Sequence, residues 1–263
     1  MYLKISRFTK NDWRVSVTAE DKRKLACIVD KLKEKASSKL PPYGKWRRMS
    51  SEERWNKIIA QFCVMRGTRA WNRLKENANK YQDFMEKMKL ENLNAKQNRI
   101  DFLRDIFRKY KPTILIKKVG NESKPQPDIP DRIEKFLKNT NAIRDGKLIL
   151  FDDLDDFGED ENREILLKRT VGSFKIKSIS DLMIEMGWAR SFMAFDTRIV
   201  GLFSRHFGLN IEANRIQSND FLYKAFEKNL REVCGEIGVD LSLLDRMLFS
   251  FNSAIDYILE VEC

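Results

Sequence analysis

The sequence predicts an all-α, mainly helical protein with room for a short β segment at its N-terminus. Three observations lead there. Apolar residues recur at i, i+3, i+4 and i+7 along most of the 263 residues. Period-two alternation is confined to the first twenty residues. Glycines and prolines punctuate the helical stretches, and no internal repeat is visible.

In residues 1–20, Tyr2, Leu3 and Ile5, then Trp13, Val15 and Val17, alternate as in a short strand or hairpin. Residues 20–37 read as a helix with Ala26, Ile28, Val29 and Leu32 inward, stopped by Pro41-Pro42-Tyr43-Gly44. Ser50 or Ser51 with Glu53 is a capping-box start. The helix that follows carries Trp55, Ile58, Ile59, Phe62 and Cys63 on one face. Arg66-Gly67-Thr68-Arg69 interrupts it before Ala70-Trp71 resumes. Residues 80–90 and 98–110 read as further helices, the second ended by Pro112. The stretch Lys117 to Pro130, with Gly120, Pro125 and Pro127, reads as a loop, and 131–138 as a short helix. Asp152 to Asp160 is acidic. It reads as a solvated loop capping a helix at 161–169, because Arg163 stands where a calcium loop beginning at Asp152 needs a glutamate. Helix 177–186 has Ile179, Leu182, Met183 and Met186 in one stripe. Three more helical patterns follow Asp196, built on Ile199–Phe207, Phe221–Leu230 and Leu244–Ile258, with Gly208 and the Gly235/Gly238 pair between them.

Charge is strongly asymmetric. Residues 1–120 hold 31 Lys+Arg and 13 Asp+Glu, or +18; residues 121–263 hold 19 and 26, or −7, giving the overall +11. A basic half of this size suits a phosphate-bearing partner. Cys27, Cys63, Cys234 and Cys263 are scattered without a CxxC pair, and His206 is the one histidine. Cysteine-based zinc or iron–sulfur sites and histidine base catalysis are therefore disfavoured. No apolar run reaches membrane-spanning length and no secretory leader is visible, so a soluble, intracellular protein is expected.

The chemistry is concentrated in residues 171–199. Helix 161–169 and helix 177–186 are joined by a short turn, Val171-Gly172-Ser173-Phe174-Lys175. Two helices with a tight turn and N–H groups exposed at the second helix's start form a helix-hairpin-helix, which grips a DNA phosphate without reading sequence. Lys177 lies in the first turn of the second helix, off its apolar stripe. Asp196 comes nineteen residues later, after an apolar segment, and opens another helix. An amine nucleophile and a carboxylate so carried can do chemistry on a sugar. An aspartate at that place also serves as an N-cap, and the two roles are compatible.

These residues resemble the helix-hairpin-helix glycosylase superfamily, and most closely the archaeal-type 8-oxoguanine DNA glycosylase/AP lyases. Lys177-Ser178-Ile179-Ser180 is similar to that group's Lys-x-Ala-Ser run. Gly187 stands at its glycine ten positions on, and Ala194-Phe195-Asp196-Thr197-Arg198-Ile199 at its Ala-Ile-Leu-Asp-x-His-Ile run. Weaker similarity, in order, joins Phe62-Cys63-Val64-Met65, Asn98-Arg99, and Leu244-Asp245 with Leu248-Phe249. The resemblance spans about residues 50–260, with its specific core at 171–199. The chain departs from the family pattern at four places. Ser173 and Lys175 occupy the hairpin's Gly-x-Gly positions, with Gly172 one step early. Thr197-Arg198 replaces the residue-then-histidine pair. Asp181 stands among the base-pocket positions, and Phe249 replaces a tryptophan.

The resemblance implies a two-lobed helix-hairpin-helix fold. One lobe would be residues 51–187 and the other residues 1–50 plus 188–263. It implies Lys177 as nucleophile and Asp196 as its carboxylate partner. Gly172, Ser173, Lys175, Arg66 and Arg69 would contact DNA, with Arg66 filling the space left by a flipped base. Asp181 and Phe249 would line the base pocket. No metal or cofactor is implied. The expected partner is double-stranded DNA carrying a damaged base, met by a monomer without a membrane, in the cytoplasm or nucleoid of a prokaryote or the nucleus of a eukaryote. A lysine Schiff base and β-elimination would release 8-oxoguanine and nick the strand. The same fold acting on another damaged or mismatched base, and a non-catalytic helical nucleic-acid-binding module, remain open as alternatives.

Overall fold

The computed structural model describes residues 4–9, 12–65, 68–114, 116–119, 122–125, 129–154 and 157–263, and it is mostly helical with short two-stranded hairpins. β1 (Lys4–Thr9) and β2 (Asp12–Ser16) pair antiparallel with Ile5 opposite Val15, the expected N-terminal hairpin. α1 (Ala19–Ser37) starts at a capping box: the Thr18 hydroxyl accepts from the Asp21 N–H, and the Asp21 carboxylate accepts from the Thr18 N–H. Leu25, Ile28, Val29, Leu32 and Ala36 form its buried stripe. The single turn α2 (Lys45–Arg48) buries Trp46. α3 (Ser51–Val64) opens on a second box, Ser50 with Glu53, and buries the face read from the sequence.

α4 (Thr68–Glu76) and α5 (Ala78–Lys87) follow, the latter capped by Asn77. The pattern at 80–90 is thus divided between α5 and the short α6 (Leu90–Asn94). α7 (Arg99–Tyr110) ends at Lys111, in left-handed conformation just before Pro112. The stretch read as a loop contains a hairpin instead: β3 (Ile116–Val119) pairs with β4 (Glu122–Pro125). Its prolines misled the reading, because Pro125 sits at the strand end, where a missing N–H costs the ladder little. α8 (Ile129–Leu137) takes Pro130 into its first turn. β5 (Ile143–Arg144) and β6 (Lys147–Leu148) close around Asp145-Gly146, both at positive φ.

α9 (Glu159–Arg169) is capped by Gly158 without a side-chain bond. That cap lies within the acidic run, and the helix starts two residues earlier than read, so Glu159, Asp160 and Glu161 favour its positive end from the first turn. Then come α10 (Ile176–Glu185), α11 (Thr197–Phe207), α12 (Ala213–Gln217) and α13 (Asp220–Glu236). Gly235 lies inside α13, so only Gly238, at positive φ, acts as the expected break. The last helical pattern is split at Phe251 into α14 (Leu241–Ser250) and α15 (Asn252–Tyr257), with one π-turn at Ile258–Glu262. Among the described residues no helix is long and apolar enough to cross a membrane.

The chain divides into two compact units, Met1–Trp46 with Ile179–Cys263, and Arg47–Ser178, the divisions falling within α2 and α10. The central unit has an aromatic core. Phe62 lies 4.5 Å from Phe174 and 5.7 Å from Phe136, and the Trp55 indole N–H donates to the Met88 carbonyl at 2.6 Å. In the unit built from the two ends, α1 and α11 pack on α14, and α13 packs on β2. A disulfide joins Cys27 of α1 to Cys263, with Lys31 paired to Glu262 beside it.

Candidate active site

In the central unit, α9 and α10 are joined by the turn 170–175. The Ser173 and Phe174 N–H groups both bond to the Thr170 carbonyl, and Phe174 plugs into the core against Phe62 and Phe136. The turn is therefore held by one buried ring and one shared acceptor. Gly172 stands at its apex with φ +79°, a conformation that other residues adopt only at a cost. Lys175 is exposed, whereas Ser173 is only 2% exposed, so its hydroxyl faces the protein and not a solvent-side phosphate. Lys177 is half-buried in the first turn of α10. Gln61, buried in α3, donates to the Ser178 carbonyl at 3.1 Å and ties that first turn to the core. Arg69 is exposed at the start of α4. Arg66 lies outside the described residues.

In the other unit, Asp196 is the N-cap of α11. Its Oδ1 accepts from the Arg198 and Ile199 N–H groups at 2.9 and 3.0 Å. Its Oδ2 accepts from the Arg198 guanidinium at 3.0 and 2.9 Å. That guanidinium lies 3.6 Å above the Phe249 ring, so Arg198 bridges the aspartate and the phenylalanine. Asp181, in α10, pairs with Arg246 at 2.9 Å, and Arg246 also meets Glu185 at 2.8 Å and Asp245 at 3.3 Å. Four of the expected or nearby positions, Asp181, Asp196, Arg198 and Phe249, thus belong to one cluster with Arg246 and Asp245.

The segment that delivers Asp196 is fixed by side chains that are buried or, for Gln217, half-buried. Its peptide groups are not in regular structure, yet they are bonded one after another. Ser242 donates to the Phe192 carbonyl and Tyr223 to that of Met193; Asp245 accepts from the Ala194 N–H at 2.7 Å; Gln217 donates to the Phe195 carbonyl at 2.6 Å. The Asp245 carboxyl is pushed up to about 7. Burial is the main cause, and Arg246, shared with Asp181 and Glu185, offsets it only in part. Of these anchors, sequence reading named only Asp245, within the Leu244-Asp245 similarity and without its role. The available signal was the polar pair Ser242 and Asp245 inside the apolar run Leu241–Leu248.

Gly187 ends the turn after α10 with φ +69°. Its carbonyl accepts from the Gly44 N–H at 2.8 Å, and a Cβ at this position would fall 2.3 Å from the Pro42 carbonyl oxygen. The next residue, Trp188, stacks on Trp46 with ring centres 3.8 Å apart. The family-like glycine therefore has a structural reason: the 42–46 backbone leaves no room for a side chain.

The Cys63 thiol is fully buried and pushed well up by desolvation, which makes it inert. His206 sits 2.6 Å from Asp256, which also holds Arg205, and that pairing keeps the Asp256 carboxyl below its usual range.

Comparison with family models, with curated proteins and with solved structures finds no match to the chain.

Proposed function

We propose that this chain is a bifunctional DNA glycosylase/AP lyase of base excision repair, with the two-lobed helix-hairpin-helix fold, removing 8-oxoguanine from double-stranded DNA. The observation that carries the reading is the run 171–199. It has a lysine in the first turn after a glycine-apex hairpin, and an aspartate that caps the next helix and is delivered by a rigidly anchored segment. The +18 charge of residues 1–120 supports a phosphate-rich partner.

In this reading the damaged nucleotide leaves the stack. The neutral Lys177 amine forms a bond to the sugar C1′ while the C1′–N glycosidic bond breaks, and the bonding pair leaves with the base, which takes a proton. Asp196 balances the positive charge that develops at C1′ and receives the amine proton. The nitrogen lone pair then opens the sugar ring, expelling O4′ as a hydroxyl and leaving a protonated imine. Loss of a C2′ proton breaks the C3′–O bond and nicks the strand 3′ to the lesion. The scheme calls on no cofactor and no metal.

Borohydride added during incubation with an 8-oxoguanine duplex should trap a covalent adduct, absent from Lys177→Gln. Trapping on a different lesion would keep the chemistry and change the substrate. No adduct and no nick on a panel of oxidised, alkylated and mismatched bases would leave the second reading, a helical module that binds nucleic acid without cutting it. One observation favours that second reading: both Asp196 oxygens are already engaged by the helix start and Arg198.

A further inference from the structure

The Cys27–Cys263 disulfide closes a strap over α11. Residues 252–263, which form α15 and the π-turn, meet α11 at both of its ends. At the first turn, the Asn252 side chain donates to the Arg198 carbonyl at 3.2 Å and to the Leu248 carbonyl at 3.3 Å. At the last turn, Asp256 meets His206 at 2.6 Å and Arg205 at 2.9 Å. The segment then crosses to α1, where Glu262 pairs with Lys31 at 3.0 Å and Cys263 is bonded to Cys27. The helix so strapped is the one that Asp196 caps and whose Arg198 lies on Asp196 and Phe249.

Little besides the bridge fixes the far end of the strap. Of residues 252–263 only Ile255 and Ile258 are buried, while Tyr257 and Val261 face solvent. The Arg205–Asp256 and Lys31–Glu262 pairs join side chains that are a third to a half exposed, and such pairs add little each. α1, by contrast, is held by its own buried stripe and packs on α14. Opening the bridge therefore leaves α1 in place and lets the strap fray from Cys263 back toward Asn252.

The bridge is also open to exchange. Cys263 is exposed and Cys27 half-buried, whereas the free thiols of Cys63 and Cys234 are buried and pushed up by desolvation, that of Cys234 to about 12. Exchange needs a reachable sulfur and an attacking thiolate, so a dithiol reductant reaches the bridge and the buried cysteines do not. One reductant thiolate bonds to the Cys263 sulfur while the Cys27–Cys263 bond breaks, its electron pair leaving on Cys27. The second reductant thiol then closes on the first and releases Cys263. The reductant ends as a cyclic disulfide, and its two protons pass to the two cysteines.

We infer that the Cys27–Cys263 bridge is a redox latch. Oxidised, it clamps α11 and keeps Arg198 on Asp196 and Phe249; reduced, it frees the strap and with it the first turn of α11. The opening itself is independent of the chemistry proposed above. Its consequence, faster strand nicking in the reduced state, rests on that reading, in which Asp196 works once Arg198 is free to leave it.

The test compares the oxidised full chain, the same chain reduced with dithiothreitol and desalted, and Cys263→Ser. Hydrogen exchange read by mass spectrometry should quicken at least ~10-fold in residues 252–263 and 197–200 of the two open forms, over labelling times at which α13 stays protected. Chymotrypsin should make its first new cut after Phe251 or Tyr257. On an 8-oxoguanine duplex the open forms should nick at least ~5-fold faster, the low end of coupling between linked sites. Reoxidation should reverse these changes in the wild-type chain and not in Cys263→Ser. An unchanged strap, or an equal rise in exchange across α1, α13 and the strap, would overturn the latch. A loosened strap with an unchanged nicking rate would overturn its control of the site. Loosening of the strap and of residues 197–200, with no nicking of any lesion in either state, would uphold the latch and overturn the functional reading.

Discussion

Gly187→Ala should be among the most damaging single-methyl changes in the protein. Two costs combine. The backbone is at φ +69°, where a Cβ costs ~1–2 kcal/mol. The new Cβ would also fall 2.3 Å from the Pro42 carbonyl oxygen and 3.1 Å from the Lys45 Cβ. The first obstacle is backbone, so the segment 42–46 must move. That movement breaks the Gly44–Gly187 hydrogen bond, worth about 1 kcal/mol, and parts the Trp46–Trp188 stack, worth about 1 kcal/mol beyond its area. The sum is ~3–4 kcal/mol, which for a chain of this length lowers the thermal midpoint by ~6 °C. Calorimetry on the wild-type chain and three variants separates the causes. Gly187→Asn tolerates positive φ but keeps the Cβ, so it should recover only a small part of the loss. Gly235→Ala, with nothing within 4 Å and a helical position, should instead stabilise by ~0.5–1 kcal/mol. A loss below ~1 kcal/mol in Gly187→Ala, or full recovery in Gly187→Asn, would refute the packing argument.

Asp196→Asn keeps the cap, so its stability should stay within ~0.5 kcal/mol of wild type, and under the proposed function strand nicking should fall at least ~10-fold; Asp196→Ala should lose ~1 kcal/mol, measured by denaturant unfolding, and the proposed activity with it. The raised carboxyl of Asp245 makes stability depend on pH in a fixed direction. Between its unfolded value near 4 and about 7 the folded chain binds the extra proton, so its contribution is full below 4 and is lost as pH rises through 7. Asp245→Asn, which still accepts from Ala194, should flatten that slope in a series of thermal midpoints. Cys27→Ser should lower stability by ~2–4 kcal/mol, since the bridge closes a loop of 236 residues; dithiothreitol should reproduce the loss in the wild-type chain and leave the variant unchanged.

What was legible in the sequence was local. The Ser50–Glu53 box, the α3 stripe and the cap role of Asp196 each depend on residues three or four apart, and each is found in the structure. What was missed depends on distance along the chain. Ala194 finds its acceptor 51 residues away in Asp245, and the Gly187 carbonyl meets an N–H at residue 44. No periodicity encodes such pairs. The β3–β4 hairpin failed for a different reason: four-residue strands rich in lysine and proline carry too weak an alternation to outweigh their turn residues.

Arg198 is where departure from the family pattern and local physics meet. A neutral imidazole beside Asp196 would leave the carboxylate its full charge. A guanidinium on Oδ2 offsets part of it, and cation–π contact with Phe249 holds the guanidinium in place. A carboxylate so paired is a good cap but a weaker partner for a developing cation, because electrostatic stabilisation requires charge that is not already engaged. Under the proposed function, a ligand that takes the Phe249 face and turns Arg198 outward would reconcile the two demands. Arg198 is still 41% exposed and has solvent to move into. The same displacement would free the aromatic surface and restore the charge of Asp196, so binding at Phe249 and activation of the aspartate would be one event.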